Sequence, residues 1–209
     1  MRAHVKLFLA SSNPGKLGEY RALAQTSAPG ANSSPEARVQ IELLPAFDSL
    51  PSFDEDAPTF AENALGKVLH CSQLADRLVF ADDSGLVVPA LGGAPGVHSA
   101  RYAGPNATDA ERVAKLLGEL RGKAGVERAA YFVCAIALAE KGRAIGIVTA
   151  RVDGEILESP RGSGGFGYDP VFYFPTFRKT FAELLPEEKN LCSHRGKAFR
   201  KLLTGLGSL

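Results

Sequence analysis

Two long β-forming runs joined by only two residues constrain this chain more than any other feature. Residues 128–140, RAAYFVCAIALAE, and 143–156, RAIGIVTARVDGEI, flank Lys141-Gly142, a tight hairpin signal. A hairpin of that length needs further strands and helices to bury its faces. The chain offers both. Residues 5–10 read as a buried strand, VQIELL (39–44) alternates as a strand does, and RLVFADDSG (77–85) reads as a strand ending in two aspartates. Helices are expected after Asn13, with Pro14 in the first position and Leu17, Tyr20, Leu23 and Ala24 as the apolar stripe. Three more carry capping-box signatures, at Thr59 to Glu62, Thr108 to Glu111 and Thr180 to Glu183, and SHRGKAFRKLLTGL (193–206) closes the chain as a helix. The fold class is α/β, a mixed sheet flanked by helices. No repeat or linker divides residues 1–209, so they read as one domain of two lobes with a cleft. Residues 25–38, rich in Ser, Pro, Gly and Ala, read as a mobile loop without chemistry.

Composition excludes several functions. The chain has 209 residues and a formal net charge of +1, so neither a nucleic-acid surface nor a polybasic membrane patch is indicated. The apolar run after Arg2 is short, holds Lys6 and is followed at once by a polar loop, which is not a signal-peptide pattern. No stretch reaches the ~20 apolar residues of a membrane span. Cys71, Cys134 and Cys192 are isolated, as inert thiols of a reducing cytoplasm are, and neither they nor His70 and His98 stand at zinc spacing.

Chemistry concentrates in five places. In SSNPGK, Lys16 falls in the first helical turn, where the helix dipole repels a cation unless an anion is near. A strand, an Asn/Gly loop and a helix start can hold phosphate, although this is not a P-loop. On the second helix Thr59, Asn63 and Lys67 share a polar face behind the acidic run Asp54, Glu55 and Asp56. That face reads either as solvent surface or as part of a site in which the carboxylates hold Mg²⁺. Asp82 and Asp83 are consecutive strand residues and must face opposite ways; either they form a turn with an Asx bond, or one holds a metal or orients a water. In GSGGFGYDP, four glycines surround Phe166, an aromatic suited to stacking on a planar base, with a structural turn as the alternative. In KNLCSHRGKAF, Ser193 is placed to cap the last helix, and His194, Arg195 and Lys197 again put cations at a helix start.

These segments, SSNPGK, DEDAPTFAENALGK, ADDSGL with LGGAPGVHSARYAG, GFGYDPVF and KNLCSHRGKA, occur in an order that resembles the inosine/xanthosine triphosphate pyrophosphatase family. The resemblance spans residues 5–206. It implies an elongated two-lobed α/β fold with a central cleft, a homodimer, and Mg²⁺-dependent hydrolysis of ITP, dITP and XTP to the monophosphate and pyrophosphate. The near-neutral charge and the lack of a span or signal pattern, read apart from the resemblance, give the expectation of a cytoplasmic protein with no nucleic-acid or membrane partner. Carried over by position, Ser11, Ser12, Asn13, Pro14, Gly15 and Lys16 hold the triphosphate, and Lys67 reaches phosphate. Asp83 is the proton acceptor and a metal ligand, and Ser84 contacts substrate. Phe166, Gly167, Tyr168 and Asp169 form the base-side loop, completed by Lys189, His194 and Arg195. The second metal position is usually glutamate in that family. It falls on Asp54 here, one methylene shorter, with Glu55 as a substitute. The loop at 25–38 is longer than the family pattern. Competing readings are a nucleotide sensor without turnover and a Maf-like pyrimidine triphosphate pyrophosphatase.

Overall fold

The computed structural model describes residues 5–26 and 39–207. The elements in chain order are β1 (Lys6–Leu9), α1 (Pro14–Thr26), β2 (Gln40–Leu43), α2 (Phe60–Gln73), β3 (Leu78–Val87), α3 (Asp109–Glu119), β4 (Ala129–Glu140), β5 (Arg143–Ile156), β6 (Phe172–Phe174), β7 (Lys179–Thr180), α4 (Pro186–Cys192) and α5 (His194–Leu206). The strands form one mixed seven-stranded sheet in the order β2-β1-β3-β4-β5-β6-β7. β1 runs parallel to β2 and β3, while β5, β6 and β7 pair antiparallel. The β4–β5 turn has positive φ at both residues, 50° at Lys141 and 74° at Gly142. That is the twist a two-residue hairpin requires. Among the described residues no helix is long and apolar enough to cross a membrane.

Three expectations need correction. β3 does not end at the aspartates: it runs on to Val87, so Asp82 and Asp83 lie inside a ten-residue strand. Ser84-Gly85 resembles a turn, yet the strand continues through it, and sheet pairing outweighs local turn preference. TFAELLPEE is also not one helix. Thr180 and Glu183 form the expected capping box, but around the single 3-10 turn Phe181–Glu183, and α4 starts only at Pro186. Of the loop expected over 25–38, Gln25 and Thr26 belong to α1, and residues 27–38 lie outside the described residues.

The chain forms two compact units. The first comprises Met1–Asp83, Ala135–Thr149 and Gly196–Leu209; the second comprises Ser84–Cys134 and Ala150–Arg195. In the first, strand alternation sorts two apolar layers. Phe8, Ala10, Val79, Ala81, Ala135, Ala137 and Ala139 pack against Ala64, Val68 and Cys71 of α2. Phe80 points the other way, where its ring meets Tyr20 of α1 at 5.0 Å and Phe199 of α5 at 6.2 Å. In the second unit one core joins Val113, Leu116 and Leu120, at α3 and its C-terminal end, to Phe132, Tyr168, Phe172 and Phe181.

Candidate active site

Strand alternation decides the chemistry of the first unit. Asp82 shares its face of β3 with Phe80, toward α1; Asp83 shares its face with Val79 and Ala81, toward α2. The ammonium of Lys16 lies 3.0 Å from Asp82 Oδ1 and donates to the Asp82 carbonyl at 3.4 Å. Asp82 is therefore an anion that the protein itself supplies to the lysine in the first turn of α1. The turn before it is built as expected: Asn13 Oδ1 accepts the Gly15 N–H at 2.9 Å, and buried Ser11 accepts the Asn13 N–H at 3.1 Å. Ser12 and Gly15 are exposed, and Pro14 is the first residue of α1.

On the other face Asn63 Nδ2 donates to Asp83 Oδ2 at 3.0 Å. Asn63 is fully buried, and its Oδ1 accepts the Ala57 N–H at 2.9 Å, which fixes the orientation of the amide. On the polar face of α2, Asn63 is thus interior and Lys67 half-buried, so the reading as solvent surface holds only for Thr59 at the helix start. The helix hides a polar side chain there because every one of its hydrogen-bonding atoms has a partner. Thr59 caps the helix by accepting the Glu62 N–H at 3.2 Å and donates its hydroxyl to Glu62 Oε2 at 2.7 Å.

Lys67, one turn beyond Asn63, donates to Glu55 Oε1 at 2.6 Å. Burial works to discharge this lysine, but Glu55 foremost, then Asp82 and Asp83, hold its pKa above the usual value. Asp83 moves the opposite way. Burial, aided by the charges of Glu55 and Asp82, pushes its pKa up to about 6, against the Asn63 hydrogen bond and the Lys16 charge. Three carboxylates and two ammonium groups thus share one electrostatic neighbourhood. Asp54, the expected acidic position, is exposed, whereas Glu55 is coupled to both Lys67 and Asp83. Asn63 was legible only as a position on a helix face, and nothing in its spacing announced a bond to Asp83.

The second unit carries an aromatic and cationic group. Asp169, 3% exposed, accepts the Phe166 N–H at 2.8 Å and the Lys189 ammonium at 2.7 Å. Gly165 has a φ of 72°, and a Cβ on it would lie 2.1 Å from Asp169 Oδ2, so this turn admits only glycine. Lys189 Nζ and the Arg195 guanidinium lie over the Phe166 ring, at 4.9 and 5.5 Å from its centroid. Arg195 also donates to Ser84 Oγ at 2.9 Å. Gly167 donates its N–H to Asp109, and the Tyr168 hydroxyl donates to the Ser99 carbonyl at 2.9 Å. The Phe166 and Gly167 N–H groups are therefore engaged within the protein. His194 is buried, with its ring stacked on Phe132 at 4.6 Å. Ser193 stands between α4 and α5, and Lys197 is exposed.

The model of the Ham1 family matches residues 7–205. The chain belongs to the Ham1 family. A dITP/XTP pyrophosphatase of Geobacillus kaustophilus is 50% identical over 197 residues, 94% of this chain and 92% of that protein. A dITP/XTP pyrophosphatase of Gloeobacter violaceus is 49% identical over 199 residues, 95% of this chain and 93% of its own. The structure of a HAM1 protein from Coxiella burnetii matches with a TM-score of 0.82 at 42% identity, covering 98% of this chain and all of that one, 100%. The Ham1 protein of Staphylococcus aureus matches at a TM-score of 0.81 and 34% identity, over 97% of this chain and 98% of its own. The α/β architecture described above is that of Ham1 structures.

Proposed function

We propose that this Ham1 protein hydrolyses deaminated purine nucleoside triphosphates, dITP, ITP and XTP, to the monophosphate and pyrophosphate. Names of relatives about half identical in sequence support the substrate class. The observation that carries the chemistry is Asp83, a buried carboxylate poised at about 6, oriented by Asn63 and set among Lys16, Lys67, Glu55 and Asp82. A general base works best when its pKa lies near the operating pH. Asp83 takes a proton from water as the water oxygen bonds to the α-phosphorus. The bond from that phosphorus to the bridging oxygen breaks, and pyrophosphate leaves with the electron pair. Lys16 and Lys67 offset the charge that spreads over the phosphate oxygens.

The charge balance of this neighbourhood fits a divalent cation. Its carboxylates outnumber its ammonium groups, so the lysines alone do not neutralise a triphosphate of roughly four negative charges. Among the described residues no three His, Cys, Asp or Glu side chains form an all-protein metal cage. Mg²⁺ takes one or two carboxylates plus substrate phosphates and water. Asp83 and Glu55 would hold it, Glu55 in place of the exposed Asp54. When bound, Mg²⁺ supplies positive charge against the phosphate oxygens.

Residues of the second unit read the base. Phe166 provides a stacking face. Inosine and xanthine present a keto oxygen at position 6 where adenine presents an amine. Arg195, Lys189 and His194 are the side chains assigned in this reading as donors for that oxygen. Adenine would leave such donors unpaired, which costs affinity steeply. The protein acts as a cytoplasmic homodimer that cleanses the nucleotide pool.

The test is pyrophosphate release from ITP, XTP, GTP, ATP and dUTP, with and without Mg²⁺. Metal-dependent release from ITP and XTP, with the others at least ~100-fold slower in kcat/KM, is expected. Equal rates on all five, or none from a folded protein, would overturn the reading.

A further inference from the structure

Carboxylates shape the loop that carries Phe166. One, Asp169, belongs to the loop itself and takes the Phe166 N–H. The next N–H, that of Gly167, donates at 2.6 Å to Oδ2 of Asp109, a residue 58 positions away in sequence. Gly167 has a φ of 64°. Asp109 is the first residue of α3. Its carboxylate is not needed to cap that helix. Thr108 and Glu111 already close a full capping box, with the Thr108 N–H on Glu111 Oε2 at 2.7 Å and the Glu111 N–H on Thr108 Oγ1 at 3.2 Å. Asp109 is instead pinned in place: its Oδ1 pairs with Arg112, which also donates to the Ala100 carbonyl. The Tyr168 hydroxyl anchors the following residue to Ser99 in the same stretch.

We infer that Asp109 is a positioning residue for base selection: by accepting the Gly167 N–H it fixes how Phe166 is presented to the purine, without itself touching substrate. The inference rests on reading the Phe166 loop as the base site. The loop's aromatic stands between two glycines of positive φ, 72° at Gly165 and 64° at Gly167. Such a segment is ordered only by what holds its polar groups. Removing the Asp109 acceptor leaves the Gly167 N–H without that partner, so the peptide between Phe166 and Tyr168 can turn although Asp169 and Ser99 hold its two sides. Binding and discrimination of the base should suffer, and the chemical step on the phosphates should not.

Pyrophosphate release from ITP and ATP by the wild type, Asp109→Ala and Asp109→Asn tests this, with thermal unfolding measured in parallel. Asp109→Ala is expected to raise KM for ITP about tenfold, the loss of one charge-assisted hydrogen bond. It should leave kcat within about twofold and shrink the ITP-to-ATP ratio of kcat/KM. Asp109→Asn keeps an acceptor for the Gly167 N–H and should return KM to within about twofold of the wild type. A folded Asp109→Ala protein with unchanged KM and unchanged base ratio overturns the inference, as does an Asp109→Asn protein equally impaired. Should Asp109→Ala not fold, Arg112→Leu releases the Asp109 carboxylate from its partner; an unchanged KM there overturns the inference too. A wild type that turns over ITP, beside a silent Asp109→Ala, removes this inference alone; a wild type inert on ITP removes the functional reading beneath it.

Discussion

Lys16, Lys67 and Asp83 stand on two helices and a central strand, whereas Phe166 and Asp169 stand on an irregular loop with two left-handed glycines. The first group is mostly charge: Lys16 pairs with Asp82, Lys67 pairs with Glu55, and the buried Asn63 amide donates to Asp83. The second is an aromatic ring, two cations over it and one buried carboxylate beneath the turn. Phosphates are alike in every nucleotide and are met well by fixed charges on rigid elements. Bases differ by a few polar atoms, and recognising them calls for shape, stacking and hydrogen bonds that a loop can tune. Substitutions in the first group should therefore change turnover equally for every base, and those in the second should change the ranking of bases.

Asp83→Asn is the strongest test. Loss of the general base should lower kcat at least ~100-fold, on ITP and XTP alike, with nucleotide binding retained. A turnover within tenfold of the wild type would remove Asp83 from the mechanism. The same variant probes stability. Because burial raises the Asp83 pKa to about 6, the folded protein holds its proton more tightly than the unfolded chain does. The associated stability is fully present below the unfolded value and is lost as pH rises through about 6. At neutral pH the ionised group opposes folding, so Asp83→Asn should be more stable than the wild type by about 3 kcal/mol and unfold at a higher temperature. A lower midpoint would contradict that account.

Lys16→Ala comes next. It removes the ammonium from buried Asp82 and from the phosphate side together, and kcat/KM should fall by about 10- to 100-fold with the ratio between bases unchanged. A changed ratio would break the division of labour. Phe166→Ala should have the smallest effect, raising KM for ITP about tenfold through lost stacking. Inhibition by inorganic tripolyphosphate, which has no base, should stay as in the wild type. A parallel loss of tripolyphosphate inhibition would show that the loop serves the phosphates too.

Much of the first group was readable in the sequence because its determinants are local. The period of two in β3 required Asp82 and Asp83 to part company, and the Asn13 and Thr59 caps fixed where α1 and α2 begin. What was not readable depends on distant chain. Ser84-Gly85 resembles a turn, and only the neighbouring strands show that β3 continues through it. Asn63 looked like solvent surface because its partners, Ala57 and Asp83, are set by packing rather than by spacing. Glu55 could not be separated from Asp54 by counting residues, since an irregular segment has no period to count with. Asp109 was hidden by an adequate local explanation, a first-turn acid on a capped helix.

The segment composition of the first unit has a consequence for biosynthesis. That unit draws on three separate stretches of chain, and Phe199 of the last one contacts Tyr20 and Phe80 of the first. A ribosome that has released β1, α1 and β3 has not yet made the ring that closes over them. Apolar surface of the earliest elements must wait, exposed or guarded by chaperones, until α5 has emerged. Completion of the first unit's core thus waits for α5, and a chain stalled before α5 leaves Tyr20 and Phe80 without the Phe199 ring that packs on them.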